Sequence, residues 1–445
     1  MKVKVLCRNP DDYVRDTKKD IQKVHRNYDP SLHPFEAPRE YVRALNATKL
    51  ERVFAKPFLG SLDGHTDSVQ CLAKHPMSLS TLLSGSCNGE LKIWNLANRK
   101  CSKTLTAHTG FVRGICIDSK ASYFLSVGDD QTIKQWSLPC TETEVEDAPI
   151  NTIIGKSIFM SIDHHWKKPL FVTSGQQVDL WDINRAEPLK SFEWCTDSIH
   201  SVKFNPLEVS VFGSCTAERN IILYDIRANT PLKKVVMSMK TNTIAWNPME
   251  SFIFTAANED YNLYTFDVRR LDQPVNVHMD HVSAVVDLDY SPTGREFASA
   301  SFDKTIRIFE INKGHSREVY HTKRMQHVTC IKWSLDNRYI LSGSDEMNLR
   351  IWKAKASEKI GKLKKREESA FRYNEKLKEK YRHHPQIKRI ARHRHVPKLI
   401  YKEAQTIRIQ RQSLKRKLDN KRKHSKEGTV PIVSERKKHV VGIVE

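Results

Sequence analysis

The 445-residue chain has no run of apolar residues long enough to cross a membrane as a helix. None of its nine cysteines stands in a C-x-x-C pair, so zinc-ligand spacing is missing. The odd count without that spacing predicts free thiols in a reducing compartment. The opening MKVKVLCRNPDDYVRD turns acidic before an apolar core can form, so no signal peptide is expected. Thr141–Asp147, TETEVED, has four acids and no base, and reads as a solvated loop. The neighbours Asp163-His164-His165-Trp166 lack a further ligand at metal spacing, so the paired histidines predict a structural or surface role. No cofactor or metal site is expected.

What the chain does have is a period. Short apolar runs end on Trp94, Trp136, Trp181, Tyr224, Phe266, Phe309 and Trp352, in steps of 42, 45, 43, 42, 43 and 43 residues. A repeat near 43 residues, built of alternating apolar runs broken by Gly, Asn and Asp, predicts four-stranded propeller blades. The fold class is therefore all-β: a seven-bladed β-propeller with an N-terminal arm and a basic, partly helical C-terminal extension. The expected boundaries are 1–52 for the arm, 53–353 for the propeller and 354–445 for the tail.

These repeats resemble the WD40 family, which places an Asp six residues before the closing aromatic to bond a His in the blade's opening loop. Asp130, Asp260 and Asp303 stand there; Asn88, Glu218, Glu346 and Gly175 fill the place in the other blades. His108 precedes Asp130, and His281 precedes Asp303, by 22 residues, which fits that bond. A Ser, His and Asp in one blade imitate a hydrolase triad, but the repeat itself explains them, and no catalytic residue is assigned. To close the ring, residues 53–62 are expected to supply the outer strand of blade seven, since an open sheet edge invites aggregation.

Charge is distributed unevenly. Residues 61–352 carry 31 Lys and Arg against 34 Asp and Glu, whereas residues 353–445 carry 30 against 10. Tyr41–Lys49 reads as a short helix in an otherwise polar arm. In the tail, Ser357–His384 reads as helix with a broken apolar stripe, ended by Pro385. A further helical stretch is expected before Lys415-Arg416-Lys417 and Lys421-Arg422-Lys423, two clusters that resemble a nuclear localisation signal. A membrane-surface helix needs a coherent apolar face, and none is found. Dense cations without such a face point to RNA or ribonucleoprotein, with Lys388, Arg389, Arg392, Arg394 and His395 as contacts.

The stretches YVRALNATKLERVFAKPFLGSLDGH, ERNIILYDIR, WNPMESFIFTAANEDYNLYTFDVR and IKRIARHRHVPK together resemble the SOF family of WD40 proteins, across essentially the whole chain. The resemblance implies a nucleolar, non-enzymatic assembly factor of the small-subunit processome. It would act with pre-rRNA, a box C/D snoRNP and processome proteins in maturing the precursor to 18S rRNA. It also implies an alternative, a substrate receptor of a cullin-4 RING E3 ubiquitin ligase. Many such receptors end a blade in W/Y-D-x-R, which docks on the ligase adaptor. Tyr224-Asp225-Ile226-Arg227 matches, and Phe266-Asp267-Val268-Arg269 matches except in its aromatic. The docking candidates are thus Tyr224, Asp225, Arg227, Phe266, Asp267 and Arg269.

Overall fold

Runs of alternating apolar residues form strands, and among the described residues these assemble into seven antiparallel sheets. The computed structural model describes residues 29–138, 148–194, 197–431 and 433–444. The acidic stretch 141–147, Cys7, Cys140 and Cys195 lie outside the described residues. Blade one shows the pattern, with strands Val69–Lys74, Thr81–Ser86, Glu90–Asn95 and Lys100–Thr106. Leu82 stands opposite Trp94 on one face of the sheet and Leu91 opposite Leu105 on the other, so the blade packs against a neighbour on each side.

All seven aromatics that mark the period are at most 3 % exposed. In blades two to six a Phe on the adjacent strand stacks on the marker, with ring centroids 4.8–6.1 Å apart. Burying such a ring contributes about 1.5–3 kcal/mol, which is why the interval is kept while the aromatic varies. The turn before six of the seven markers is also repeated. Gly89, Gln131, Arg219, Tyr261, Lys304 and Met347, each five residues before its marker, all adopt positive φ between 60° and 88°.

Ring closure follows the expected route. Phe58–Leu62 pairs antiparallel with Leu349–Lys353, Leu62 opposite Leu349, and becomes the outer strand of blade seven. The strand is shorter than 53–62 because Val53 still belongs to a helix.

The chain divides into two compact units. One combines residues 29–54 with Lys359–Arg392. It contains helices α1 (Glu36–Val53), α2 (Lys365–Lys380) and α3 (Pro385–Arg392). Ala44, Leu377 and Ile387 are buried at its centre, against Tyr41, Leu45 and Tyr381. Lys378 pairs with Glu51 at 2.9 Å, Lys380 with Glu40 at 2.6 Å, and Arg52 donates to the Ala391 carbonyl at 2.8 Å. Tyr41–Lys49 is therefore the middle of an 18-residue helix. Pro385 begins a helix; its missing N–H costs nothing in a first turn.

The other unit is the propeller with the tail from His393 onward. There α4 (Lys398–Lys423) is followed by a strand, Val440–Val444. That strand pairs antiparallel with Lys233–Met237, Val444 opposite Lys234 and Val440 opposite Met237, making blade four five-stranded. The basic clusters at 415–417 and 421–423 lie inside α4, not beyond the last helix as expected.

Candidate docking turns and basic tail surfaces

The Ser-His-Asp sets form braces inside the blades. In blade two His108 Nδ1 lies 2.9 Å from the Asp130 carboxylate and Nε2 lies 2.8 Å from Ser126 Oγ, which also accepts from the Trp136 indole at 3.0 Å. Blade six repeats this with His281, Asp303 and Ser299 at 2.8 and 2.6 Å. Ser126 and Ser299 are fully buried, so no substrate reaches either hydroxyl. Burial raises and His281 lowers the Asp303 carboxyl; with Arg307 and Thr305 it settles at about 2. In blade one His65 meets Ser84 at 2.6 Å, but Asn88 replaces the Asp and His65 Nδ1 is buried without a hydrogen bond. Burial, then Lys92, hold His65 down at about 4. His164 and His165 are also structural: His164 meets the Tyr123 hydroxyl at 2.9 Å, and His165 Nδ1 accepts the Lys167 and Lys168 N–H groups.

Two blade ends carry an Asp-x-Arg turn. Tyr224 and Phe266 are fully buried and form the wall of their blades. The turn itself is surface. Asp225 Oδ1 accepts the Arg227 N–H at 2.9 Å, and Asp267 Oδ1 accepts the Arg269 N–H at 3.0 Å, so each Asp fixes the backbone that presents its Arg. From blade three, Lys190 Nζ caps the Ile226 carbonyl at 2.9 Å. The two arginines differ. The Arg269 guanidinium forks onto Asp267 at 3.1 and 3.0 Å and lies 4.4 Å over the Phe252 ring. Burial alone would raise the Asp267 carboxyl, yet Arg269 holds it below its ordinary value. Arg227 is exposed on its turn.

The expected RNA contacts fall in both units. Lys388, Arg389 and Arg392 are exposed on α3, whose Ile387 faces inward. Arg394 and His395 belong to the propeller unit. There Arg394 bonds the Arg317 carbonyl and pairs with Glu318 at 3.6 Å, while His321 donates to the His395 carbonyl at 3.2 Å. They fix the start of α4 to blade six. On α4, Lys415, Arg416, Lys417, Lys421 and Lys423 are exposed, whereas Arg422 turns partly inward and holds Asp419 at 3.4 Å.

Residues 354–440 match the family described as Sof1-like domain. Residues 56–95, 99–137, 272–310 and 314–353 match the WD domain, G-beta repeat. The chain is 64 % identical over 445 residues to DDB1- and CUL4-associated factor 13 of Xenopus tropicalis, and 64 % identical to the protein of that name from Homo sapiens, covering all of both chains. It is 46 % identical to Protein SOF1 of Saccharomyces cerevisiae, covering all of this chain and 95 % of that one. The chain belongs to the SOF1 family.

The repeat matches leave residues 138–271 of this SOF1-family chain uncovered, although blades three to five are folded there. These blades have lost the usual marks. Gly175 replaces the Asp of blade three, and Tyr224 and Phe266 replace Trp in blades four and five. In blade five Ala256 stands where Ser126 stands in blade two, and Ser238 stands in the place of His108. A histidine nevertheless reaches Asp260. His439, just before the tail strand, lies 3.2 Å from Asp260 and packs on Tyr264, ring centroids 5.2 Å apart. Its carbonyl accepts the Ser238 N–H at 2.9 Å. Sequence reasoning missed His439. The available signal was an Asp260 with no loop histidine, and a short apolar run, VVGIV, after the basic tail.

Proposed function

We propose that this chain is a non-catalytic assembly factor of the small-subunit processome, needed to mature the precursor of 18S rRNA and so to build the 40S subunit. It acts in the nucleus and nucleolus beside pre-rRNA and a box C/D snoRNP. One observation carries this reading: 30 cations against 10 acids sit in a tail partly fastened to a near-neutral propeller whose Ser-His-Asp sets are sealed. Such a tail neutralises phosphates while the propeller gathers proteins. The 46 % identity to Protein SOF1 over the whole chain supports it. Replacing the cell's own chain with one ending at residue 353 should cause the 18S precursor to accumulate. Normal processing with the shortened chain would overturn the reading.

A second role is supported by the names of the vertebrate relatives, which state association with DDB1 and CUL4. Here the chain serves as a substrate receptor of a cullin-4 ligase, with the turns at Asp225–Arg227 and Asp267–Arg269 meeting the adaptor. Replacing Arg227 and Arg269 by Ala together should remove the adaptor from purified chain and leave pre-18S processing intact. A folded double variant that keeps the adaptor would contradict this assignment.

A further inference from the structure

We propose that the outward face of α4 is a preformed rod that follows the sugar–phosphate backbone of double-helical RNA; this rests on the reading that the tail associates with RNA. Helix α4 has 26 residues and spans about 39 Å. It carries ten Lys and Arg against two acids, Glu403 and Asp419. An isolated helix of this charge is marginal in water, because like charges one turn apart repel. Here both flanks are fastened to the propeller. Before α4, Arg394 and His395 bind blade six; after it, His439 and Val440–Val444 bind blades five and four. Along its length Ile400 is buried, Ile407 is half-buried, and Arg411 reaches Asn262 Oδ1 at 3.4 Å.

That inner face fixes the outer one. At 3.6 residues per turn, Lys402, Gln405, Ile409, Gln412, Arg416 and Lys423 line the opposite side, and all six are exposed. The stripe holds no carboxylate: Asp419 lies beside it and is held by Arg422 at 3.4 Å, and Glu403 lies on another side of the helix. Cations suit phosphate oxygens. The amides of Gln405 and Gln412 both donate and accept, as a ribose 2′-hydroxyl requires. Single-stranded RNA is held by successive aromatic rings, whereas Tyr401 is the sole ring on α4 and stands in its first turn. The wide, shallow minor groove of an RNA duplex, read by shape through 2′-hydroxyls and phosphates, fits this face. Because the rod is already ordered, binding bears little folding cost.

The test measures full-length chain, by fluorescence anisotropy over a salt series, on an RNA duplex, its separated single strand and a DNA duplex of the same sequence. Binding should favour the RNA duplex and should not change when its sequence is shuffled. The triple variant Lys402→Gln, Arg416→Gln, Lys423→Gln should lower the slope of log affinity against log salt by about two to three and weaken binding at least about tenfold. A variant with the same charge loss on the propeller, Lys100→Gln, Lys120→Gln, Lys168→Gln, should behave as wild type. Equal loss in both variants means a general charge effect and overturns the proposal, as does tighter binding of the single strand. If the α4 variant keeps its RNA affinity but leaves the pre-ribosomal particle, the stripe meets an acidic protein and the proposal fails. Loss of the particle by a chain ending at residue 353, with full RNA affinity in the α4 variant, would sink this proposal alone and spare the functional reading.

Discussion

His439 pairs with Asp260 at 3.2 Å, so the tail returns to blade five the kind of histidine that His108 and His281 supply from within blades two and six. The bond lies just before Val440–Val444 joins the outer edge of blade four. The same residues that complete a weak blade therefore cover a sheet edge that would otherwise stay open.

Replacing His439 by Ala should loosen that strand without unfolding the ring. The cost should be about 1 kcal/mol, because the pair is partly exposed. Amide exchange at residues 233–237 and 440–444 should speed up while the inner strands stay protected. Unchanged protection there would mean that the strand holds itself in place.

The two docking turns should not contribute equally. Arg269 is already committed to Asp267 and Phe252, so docking must break those contacts first. Arg227→Ala alone should weaken adaptor binding by more than about 1 kcal/mol, and Arg269→Ala by less. The reverse order, measured by titration calorimetry, would show that the Arg269 fork is the docked state.

Two buried histidines, in blades one and five, should limit acid stability. Burial holds His65 at about 4, and His278 likewise at about 4. Each takes up its proton on unfolding, where the ordinary value is about 6.5. The unfolded state then binds more protons between pH 6.5 and 4, so stability present above that window is lost as pH falls through it. Asn88→Asp gives the orphaned His65 Nδ1 an acceptor. Urea midpoints for this variant should rise, and should fall less steeply from pH 7 to pH 5. An unchanged slope would show that His65 does not govern the acid limb.

The left-handed turn offers a stabilising change. Met347 has φ 68°, a conformation that a side chain resists and glycine accepts. Met347→Gly should raise stability by about 0.5–1 kcal/mol in thermal melts. A loss of that size would mean that the half-exposed Met347 side chain is packed by something it needs.

The propeller was legible because its information is local and repeated. Each marker aromatic is followed about 43 residues later by another, and each strand alternates within its own five or six residues. Ring closure by Phe58–Leu62 could be inferred from blade logic alone. The tail strand could not. Val440–Val444 becomes a strand only by pairing with Lys233–Met237, some 200 residues away, and nothing local distinguishes it from a frayed apolar end. The full length of α1 was hidden for the same reason: its charged residues, Glu40, Glu51 and Arg52, find partners on α2 and α3. Of the residues chosen as RNA contacts, composition marked the cations but could not separate exposed Lys388 from Arg394, which Glu318 holds.

The proposed role requires the basic tail to join the chain to precursor ribosomal RNA. A crosslinking map of full-length chain in nuclear extract tests it most directly. The account predicts crosslinks to the precursor of small-subunit rRNA or to box C/D snoRNA, concentrated in residues 354–445. Crosslinks confined to the propeller, or no ribosomal RNA above background, would contradict it.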